Sequence, residues 1–437
     1  MSTTRVIRLF LAGLFIGLVL STGLAQTPSM QKSQLLSPAP AEAVGMSSER
    51  LLRLDNVLQE GVNNSAVPGV AAIIVRDGRI VYHKAFGLAD AQNRRNLRTD
   101  DIFRIASMTK AIVSAGWLML YEEGKFMLDD PIHKWIPEFK NVQVLRTFSY
   151  RDTSYTTEAA RSPITIRQLL NHTSGISYGL IAGDERFSAI YQKGGVVDLY
   201  TTDTVILGDN IRRLAALPLQ HHPGEKYTYG ENIDVVGYLI EIMSGQSLDQ
   251  FLRNRVFEPL GMVDTYFYLP DGKANRLVPV QIPAGERQWT RLGTTFYNPD
   301  YPITGAKTFY SGGAGLSSTL KDYATFLQMV LNGGEYNGIR ILSRPYAELL
   351  CCSNQTGDLY DASGRSFFSL AFGVVAPKGE DASGVSAGTF SWGGYFNTSY
   401  FADPKEKLIG VIMKQTQASS DDLSSKFQIL TYQAIDN

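Results

Sequence analysis

The chain has 437 residues, 44% of them hydrophobic and 19% charged, enough apolar material to bury one large core or two joined ones rather than stay disordered. Acidic and basic side chains nearly cancel to a formal charge of -1, which leaves no electrostatic excess for gripping nucleic acid or an anionic lipid surface. The only cysteines, Cys351 and Cys352, are adjacent, so a bridge between them staples nothing distant and stability must come from packing.

Residues 1–25 read as an export signal. Arg5 and Arg8 supply positive charge, Leu9 to Leu20 is apolar, and Gly23-Leu24-Ala25 offers small residues for cleavage. The expectation is a periplasmic or secreted protein, with a retained N-terminal anchor as the alternative. No later stretch approaches a membrane-spanning length, so no membrane partner is expected beyond the signal. Residues 26–44, with their Pro and Ser content, read as a linker, and one folded region is expected over 45–437.

That region opens with Ser47 as a helix cap before the stripe Leu51, Leu54, Leu58 and Val62. Val70 to Val75 and Ile80 to Phe86 are strand-like runs, joined through an Asp77-Gly78 pair that favours a tight hairpin. From Met108 to Glu122 apolar residues recur at helical spacing until Gly124, which places Ser107 at a helix start. Thr165 and Gln168 form a capping-box pattern for a second helix ending at His172 to Gly175. Between about Asp129 and Thr308, helical patterns alternate with loops rich in Gly, Pro and Tyr.

After the glycine-rich Ser311 to Gly315, a helix is expected from Leu320 to Leu331. Strands are expected at Leu370 to Val375, Thr389 to Trp392, Thr398 to Ala402 and Leu408 to Lys414, and a last helix over Asp421 to Ala434. The simplest assembly is an α+β fold: one antiparallel sheet flanked by helices, from about 45–106 and 310–437, and a mainly helical lobe over about 107–309. A ligand would enter between the lobes.

Ser107-Met108-Thr109-Lys110 puts a hydroxyl at the start of a helix and an amine three residues later on the same face. A serine alcohol is unreactive until a neighbour accepts its proton, and a buried amine one turn away can do so. The pattern recurs at Ser29 to Lys32, in the linker, and at Ser318 to Lys321, where Ser318 reads as a helix start. For Ser107 alone, a simple helix cap is the competing reading.

Context decides between them. Phe103-Arg104-Ile105-Ala106-Ser107-Met108-Thr109-Lys110 resembles the nucleophile segment of class C β-lactamases and their esterase and DD-peptidase relatives, the penicillin-recognising serine hydrolases. Leu169 to Gly175 resembles the loop that follows in that family. Pro223 to Gly230 is similar to its second catalytic segment, with Tyr229 on the tyrosine of Tyr-x-Asn. Trp392-Gly393-Gly394 stands where the family carries Lys-Thr-Gly or His-x-Gly. The likeness runs from about residue 45 to residue 415.

The resemblance implies a β-lactamase/transpeptidase-like fold and a cofactor-free hydrolase with Ser107 as nucleophile and Lys110 and Tyr229 sharing proton transfer. It also implies an oxyanion hole from the backbone N–H groups of Ser107 and Tyr395, and substrate contact at Trp392, Gly393 and Gly394. Two departures bear on substrate. Glu231 occupies the Asn position of Tyr-x-Asn, with Asn232 one place late. Trp392 replaces the cation expected to hold a β-lactam's carboxylate, as in the carboxylesterases of the family. An ester of short or medium acyl length is therefore the expected substrate, with β-lactam or DD-peptidase chemistry as runner-up. The aromatic stretch of Trp289, Phe296, Tyr297, Tyr301, Phe309 and Tyr310 would wall an acyl pocket or serve as loop packing.

Three other readings compete. Gly-x-Ser-x-Gly matches surround Ser177 and Ser386, but a nucleophile elbow needs a strand before the serine and a helix after it, which neither site offers. His83, His133, His172, His221 and His222 show no zinc-site spacing, so no metal is expected. A non-catalytic peptidoglycan-binding relative would be expected to lose Ser107, Lys110 or Tyr229, and all three are present.

Overall fold

The computed structural model describes residues 28–437 except 182 and 296. The export-signal reading of residues 1–25 and the placement of Phe296 thus lie outside the described residues. Among those residues, no helix is long and apolar enough to cross a membrane.

The segment from residue 28 to the first helix runs along the sheet edge rather than standing off it. Leu36 is buried, and strand β1 (Ser37–Pro38) pairs in parallel with Arg79 and Ile80. Ser47 then caps helix α1 (Ser48–Asn63) through the Arg50 amide. Leu51, Leu54 and Leu58 of α1 are buried, each contributing roughly 1.5–3 kcal/mol of transfer free energy.

Strands β2 (Gly69–Arg76) and β3 (Arg79–Asp90) form the expected hairpin, paired from Gly69 opposite Gly87 to Arg76 opposite Arg79 with a one-residue slip in register between Ile74 and Val75. Asp77 and Gly78 turn at φ 49° and 72°, the positive pair a two-residue turn of matching twist requires. Past the middle of the chain come β4 (Ser366–Phe368), β5 (Gly373–Val375), β6 (Phe390–Gly394), β7 (Thr398–Asp403) and β8 (Leu408–Met413). The sheet order is β1-β3-β2-β8-β7-β6-β5-β4, antiparallel at every pairing except β1. The early hairpin and the late strands thus make one sheet, mixed only at its edge.

Every residue of β2 is buried, because the sheet is covered on both faces and alternate side chains serve two cores. Val70, Ala72 and Ile74 pack with α1 and helix α6 (Leu423–Tyr432). Ala71, Ile73 and Val75 join the larger core with helix α2 (Thr109–Glu122) and helix α5 (Leu320–Leu331). The strand expected over Leu370 to Val375 is shorter, because Ser369 Oγ accepts from the amides of Ala371 and Phe372 and folds that stretch into a turn.

The helical lobe is built on α2, of which twelve residues, Thr109 to Leu120, are buried. Against it lie helix α3 (Ile166–Leu170), with both capping-box bonds formed, and helix α4 (Asn232–Ser244). Gly116 allows the close approach: a Cβ there would stand 2.8 Å from Leu252 and 3.9 Å from Ile240. The lobe also carries a two-stranded hairpin, Gln143–Phe148 with Tyr155–Ala159, which the sequence reading did not anticipate. Cys351 and Cys352 form a disulfide at the end of the helix Arg344–Cys351.

Candidate active site

Ser107 lies two residues before the first residue of the α-helix it was expected to open. It sits in a 3-10 turn, Ala106–Met108, that runs directly into α2. Ala106 holds φ at 45°, a left-handed conformation unusual for a residue with a Cβ and one that structures tolerate where the surroundings enforce it. Those surroundings are explicit. Phe103–Arg104 pairs with Ser317–Ser318, Tyr323 donates to the Met108 carbonyl at 3.0 Å, and the buried Arg104 guanidinium donates to the carbonyls of Tyr301 at 2.7 Å, Val278 at 3.1 Å and Pro299.

Lys110 follows one turn later on the same face. Its Nζ donates to Ser107 Oγ at 3.3 Å and to the Gly313 carbonyl at 2.7 Å. Both side chains are almost enclosed, Ser107 at 9% and Lys110 at 3% exposure. The Nζ also stands over two aromatic rings, 4.6 Å from the centre of Tyr229 and 5.4 Å from that of Tyr178, contacts that favour a cation.

Tyr229 comes from the loop before α4, which is laced to the loop after α3. Gly224 N–H donates to Thr173 O and Thr228 N–H to His172 O, both at 2.7 Å, and Gln220 N–H to Gly175 O at 2.8 Å. Glycine is required where the loops touch: a Cβ at Gly175 would lie 2.3 Å from His221 O, and one at Gly230 2.2 Å from Ile176 O. The Tyr229 ring packs on His172, with centroids 4.7 Å apart, and on Trp392 at 5.5 Å. Its hydroxyl accepts from Trp392 Nε1 at 3.2 Å. His172 itself is held neutral, since burial and the Lys110 charge push its imidazole well below the usual value and Nδ1 bonds Asn232 Nδ2 at 2.9 Å.

Strand β6 brings the third segment to the same place. A Cβ at Gly394 would lie 2.4 Å from the Ile105 carbonyl, so the end of the strand rests on the turn that carries Ser107, and Tyr395 follows at that junction. The Tyr395 side chain points partly to solvent, packs on Phe396 and accepts from Gln417 at 2.8 Å. Of the two glycines, Gly394 is thus needed for this backbone contact, while a Cβ at Gly393 would come no closer than 3.1 Å to any neighbour, the Thr398 carbonyl.

Neither residue at the shifted Asn position faces the cleft as a free amide. Asn232 bonds His172 and Ser174. Glu231 is buried, with Oε1 unpartnered, and burial, reinforced by Asp198 and Asp234, pushes its carboxyl well above the usual range. Ser177 is fully buried, its hydroxyl has no hydrogen-bond partner among the described residues, and it follows a loop rather than a strand. Ser386 lies in the turn after the helix Pro377–Ser383.

The histidines are scattered. His221 bonds the His222 carbonyl and Thr228, both at 2.8 Å, and His222 lies 3.5 Å from Glu158. Among the described residues no His, Cys, Asp and Glu cluster is arranged to hold a metal ion. Of the aromatic stretch, Tyr297 and Tyr301 pack with Tyr200, Phe396 and Ala106 beside the Ser107 turn. Trp289 instead donates to Ser65 O at 3.1 Å, and Phe309 and Tyr310 belong to the main core. The sequence reading missed Gly313 as the amine's partner, and with it Asp234 and Ser311.

Residues 54–433 match the protein-family model described as Beta-lactamase. An uncharacterized protein of Mycobacterium tuberculosis is 32% identical over 369 residues, covering 80% of this chain and 86% of the relative. Esterase EstB of Burkholderia gladioli is 30% identical over 386 residues, covering 83% and 90%. The solved structure titled EstCE1, a hydrolase with promiscuous acyltransferase activity, superposes with a TM-score of 0.75 at 25% identity, over 89% of this chain and 98% of that one.

Proposed function

The chain belongs to the beta-lactamase family and is a serine hydrolase, and from that premise we propose that it is a carboxylesterase working through an acyl-enzyme at Ser107 on esters of short to medium acyl length. Lys110, in contact with Ser107 Oγ, must first shed its own proton to solvent; as the neutral amine it takes the hydroxyl proton while Oγ attacks the ester carbonyl. The oxyanion that forms is met by the backbone N–H groups of Ser107 and Tyr395. Tyr229 passes a proton to the departing alcohol, the C–O bond breaks, and the acyl group stays on Ser107. Water then attacks that ester, giving its proton to the same pair of side chains, and the carboxylic acid leaves with Ser107 restored.

The observation that carries the ester preference is at Trp392. Where the family's Lys-Thr-Gly supplies a cation, this strand supplies an indole whose N–H is already engaged with the Tyr229 hydroxyl. A substrate carboxylate therefore meets no cation from β6, and neither Glu231 nor Asn232 offers a free amide for an acylamido side chain. A buried polar site discriminates strongly when its own groups must be paired by the ligand, and this one asks for an uncharged acyl group. The similarity to an esterase supports the same reading.

The test compares p-nitrophenyl butyrate with a chromogenic cephalosporin in wild type and Ser107→Ala. Ester turnover abolished by the substitution and well above cephalosporin turnover is the expected result. Cephalosporin turnover in excess would reassign the chain to β-lactam or DD-peptidase chemistry, and turnover that survives Ser107→Ala would remove the proposed nucleophile.

A further inference from the structure

The position of the Lys110 amine is set by a residue outside the three motifs. Of its two hydrogen bonds, the one to the Gly313 carbonyl is the shorter, 2.7 Å against 3.3 Å to Ser107 Oγ. That carbonyl lies in the turn Ser311 to Gly315, and what holds the turn is Asp234 in the first turn of α4. Its Oδ1 accepts from Ser311 Oγ at 2.7 Å and from the Gly313 amide at 3.2 Å. Ser311 Oγ in turn accepts from the Ala314 amide at 3.1 Å.

Packing leaves the turn little freedom. A Cβ at Gly313 would stand 2.3 Å from Asp234 Oδ2, and one at Gly312 2.4 Å from the Ile233 carbonyl. Asp234 is 1% exposed, and its Oδ2 has no hydrogen-bond partner among the described residues. A carboxyl buried on such terms costs stability, and a hydrophobic residue there would serve packing better. Its two bonds run to the loop whose carbonyl accepts from the amine.

We infer that Asp234 is a positioning residue, which through Ser311 and Gly313 holds the carbonyl that aims the Lys110 amine at Ser107. The start of α4 then sets both partners of the nucleophile: Tyr229 from the loop before it, and Lys110 through the turn laid on its first residues. The inference rests on the proposal that Lys110 takes the Ser107 proton.

The experiment follows inactivation of the full-length protein by a fluorophosphonate, fitting the maximal rate kinact and the half-saturating concentration KI, for wild type, Asp234→Ala, Asp234→Asn and Ser311→Ala. Asp234→Ala should lower kinact about 100-fold with KI within about threefold, the loss expected for a misplacement on the order of 1 Å. Asp234→Asn keeps an oxygen that accepts both bonds and should recover at least about tenfold of that, and Ser311→Ala, which loses the bonds to Asp234 and from the Ala314 amide but keeps the one from the Gly313 amide to Asp234, should fall about five- to tenfold. A purely structural role would lower the labelled fraction and leave kinact of the folded fraction unchanged. An Asp234→Ala kinact within about threefold of wild type, or Asn no better than Ala, overturns the inference; if Asp234→Ala does not fold, a Ser311→Ala kinact within about twofold does so. Wild type that takes no label at Ser107 would instead defeat the acyl-enzyme proposal, a separate outcome.

Discussion

Replacing Tyr229 with phenylalanine separates chemistry from packing. The ring keeps its neighbours, His172 at 4.7 Å, Trp392 at 5.5 Å and Tyr178 at 5.7 Å between centroids, and remains beneath the Lys110 amine. What goes is one hydroxyl, whose hydrogen bond comes from Trp392 Nε1 at 3.2 Å. If the phenol served only to seat the indole, the loss would be one hydrogen bond, roughly 0.5–1.5 kcal/mol or about two- to thirteenfold in rate. If it carries the proton to the leaving alcohol, the loss is that of a general acid, roughly 100- to 10,000-fold. The two ranges do not overlap, so kcat/KM for p-nitrophenyl butyrate decides between them, with a melting curve to establish that the variant is folded. We expect a fall of more than about 100-fold with Tm changed by no more than a few degrees. A fall of less than about tenfold in a folded variant would refute the assignment of Tyr229 to proton transfer.

Two further predictions concern the frame. Gly394→Ala places a Cβ 2.4 Å from the Ile105 carbonyl, so the end of β6 must move off the Ser107 turn; kcat/KM should fall by about 100-fold or more while far-UV circular dichroism stays as in wild type. Asp322, beside the N-terminus of α5, has a carboxyl raised from 3.8 to about 6, chiefly by burial. The folded state therefore holds this proton more tightly than the unfolded chain, and the group costs stability as pH rises from about 4 through about 6, in all up to about 3 kcal/mol at about 1.4 kcal/mol per pH unit. Asp322→Asn keeps an acceptor for the Asp264 amide and the Thr265 hydroxyl, so urea unfolding should show the variant gaining on wild type between pH 4 and pH 7; an advantage that is the same at both pH values would exclude the buried carboxyl as its source.

Elements whose signal is local were legible in the sequence. The Asp77-Gly78 turn, the Thr165 capping box and the helix over Leu320–Leu331 stand where spacing and turn chemistry place them. The hairpin Gln143–Phe148 with Tyr155–Ala159 escaped notice because its second strand is exposed throughout, so it carries no apolar face to alternate with a polar one. The Ser107 and Lys110 pair was visible because one helix turn joins them. Tyr229 came only through resemblance, since nothing local links it to a serine in another segment.

The partners that orient these groups lie far off in the chain, where sequence spacing is silent: Trp392 is 163 residues from Tyr229, and Gly313 is 203 residues from Lys110. The linker reading illustrates the same limit from the other side. Proline and serine composition suggests freedom between 26 and 44, while the pairing of Ser37 and Pro38 with the sheet edge depends on a strand some forty residues later. The Asn232 offset is informative in hindsight, because that side chain bonds His172 and Ser174 and so belongs to the scaffold beneath Tyr229.

The central claim is a covalent bond between substrate acyl group and Ser107. Mixing the protein with p-nitrophenyl butyrate, quenching in acid within the first turnover and mapping the peptides by mass should find the butyryl group on the peptide containing Ser107 in wild type and nowhere in Ser107→Ala. An acyl group found instead at Ser177, or ester hydrolysed with no acylated peptide at any quench time, would contradict it.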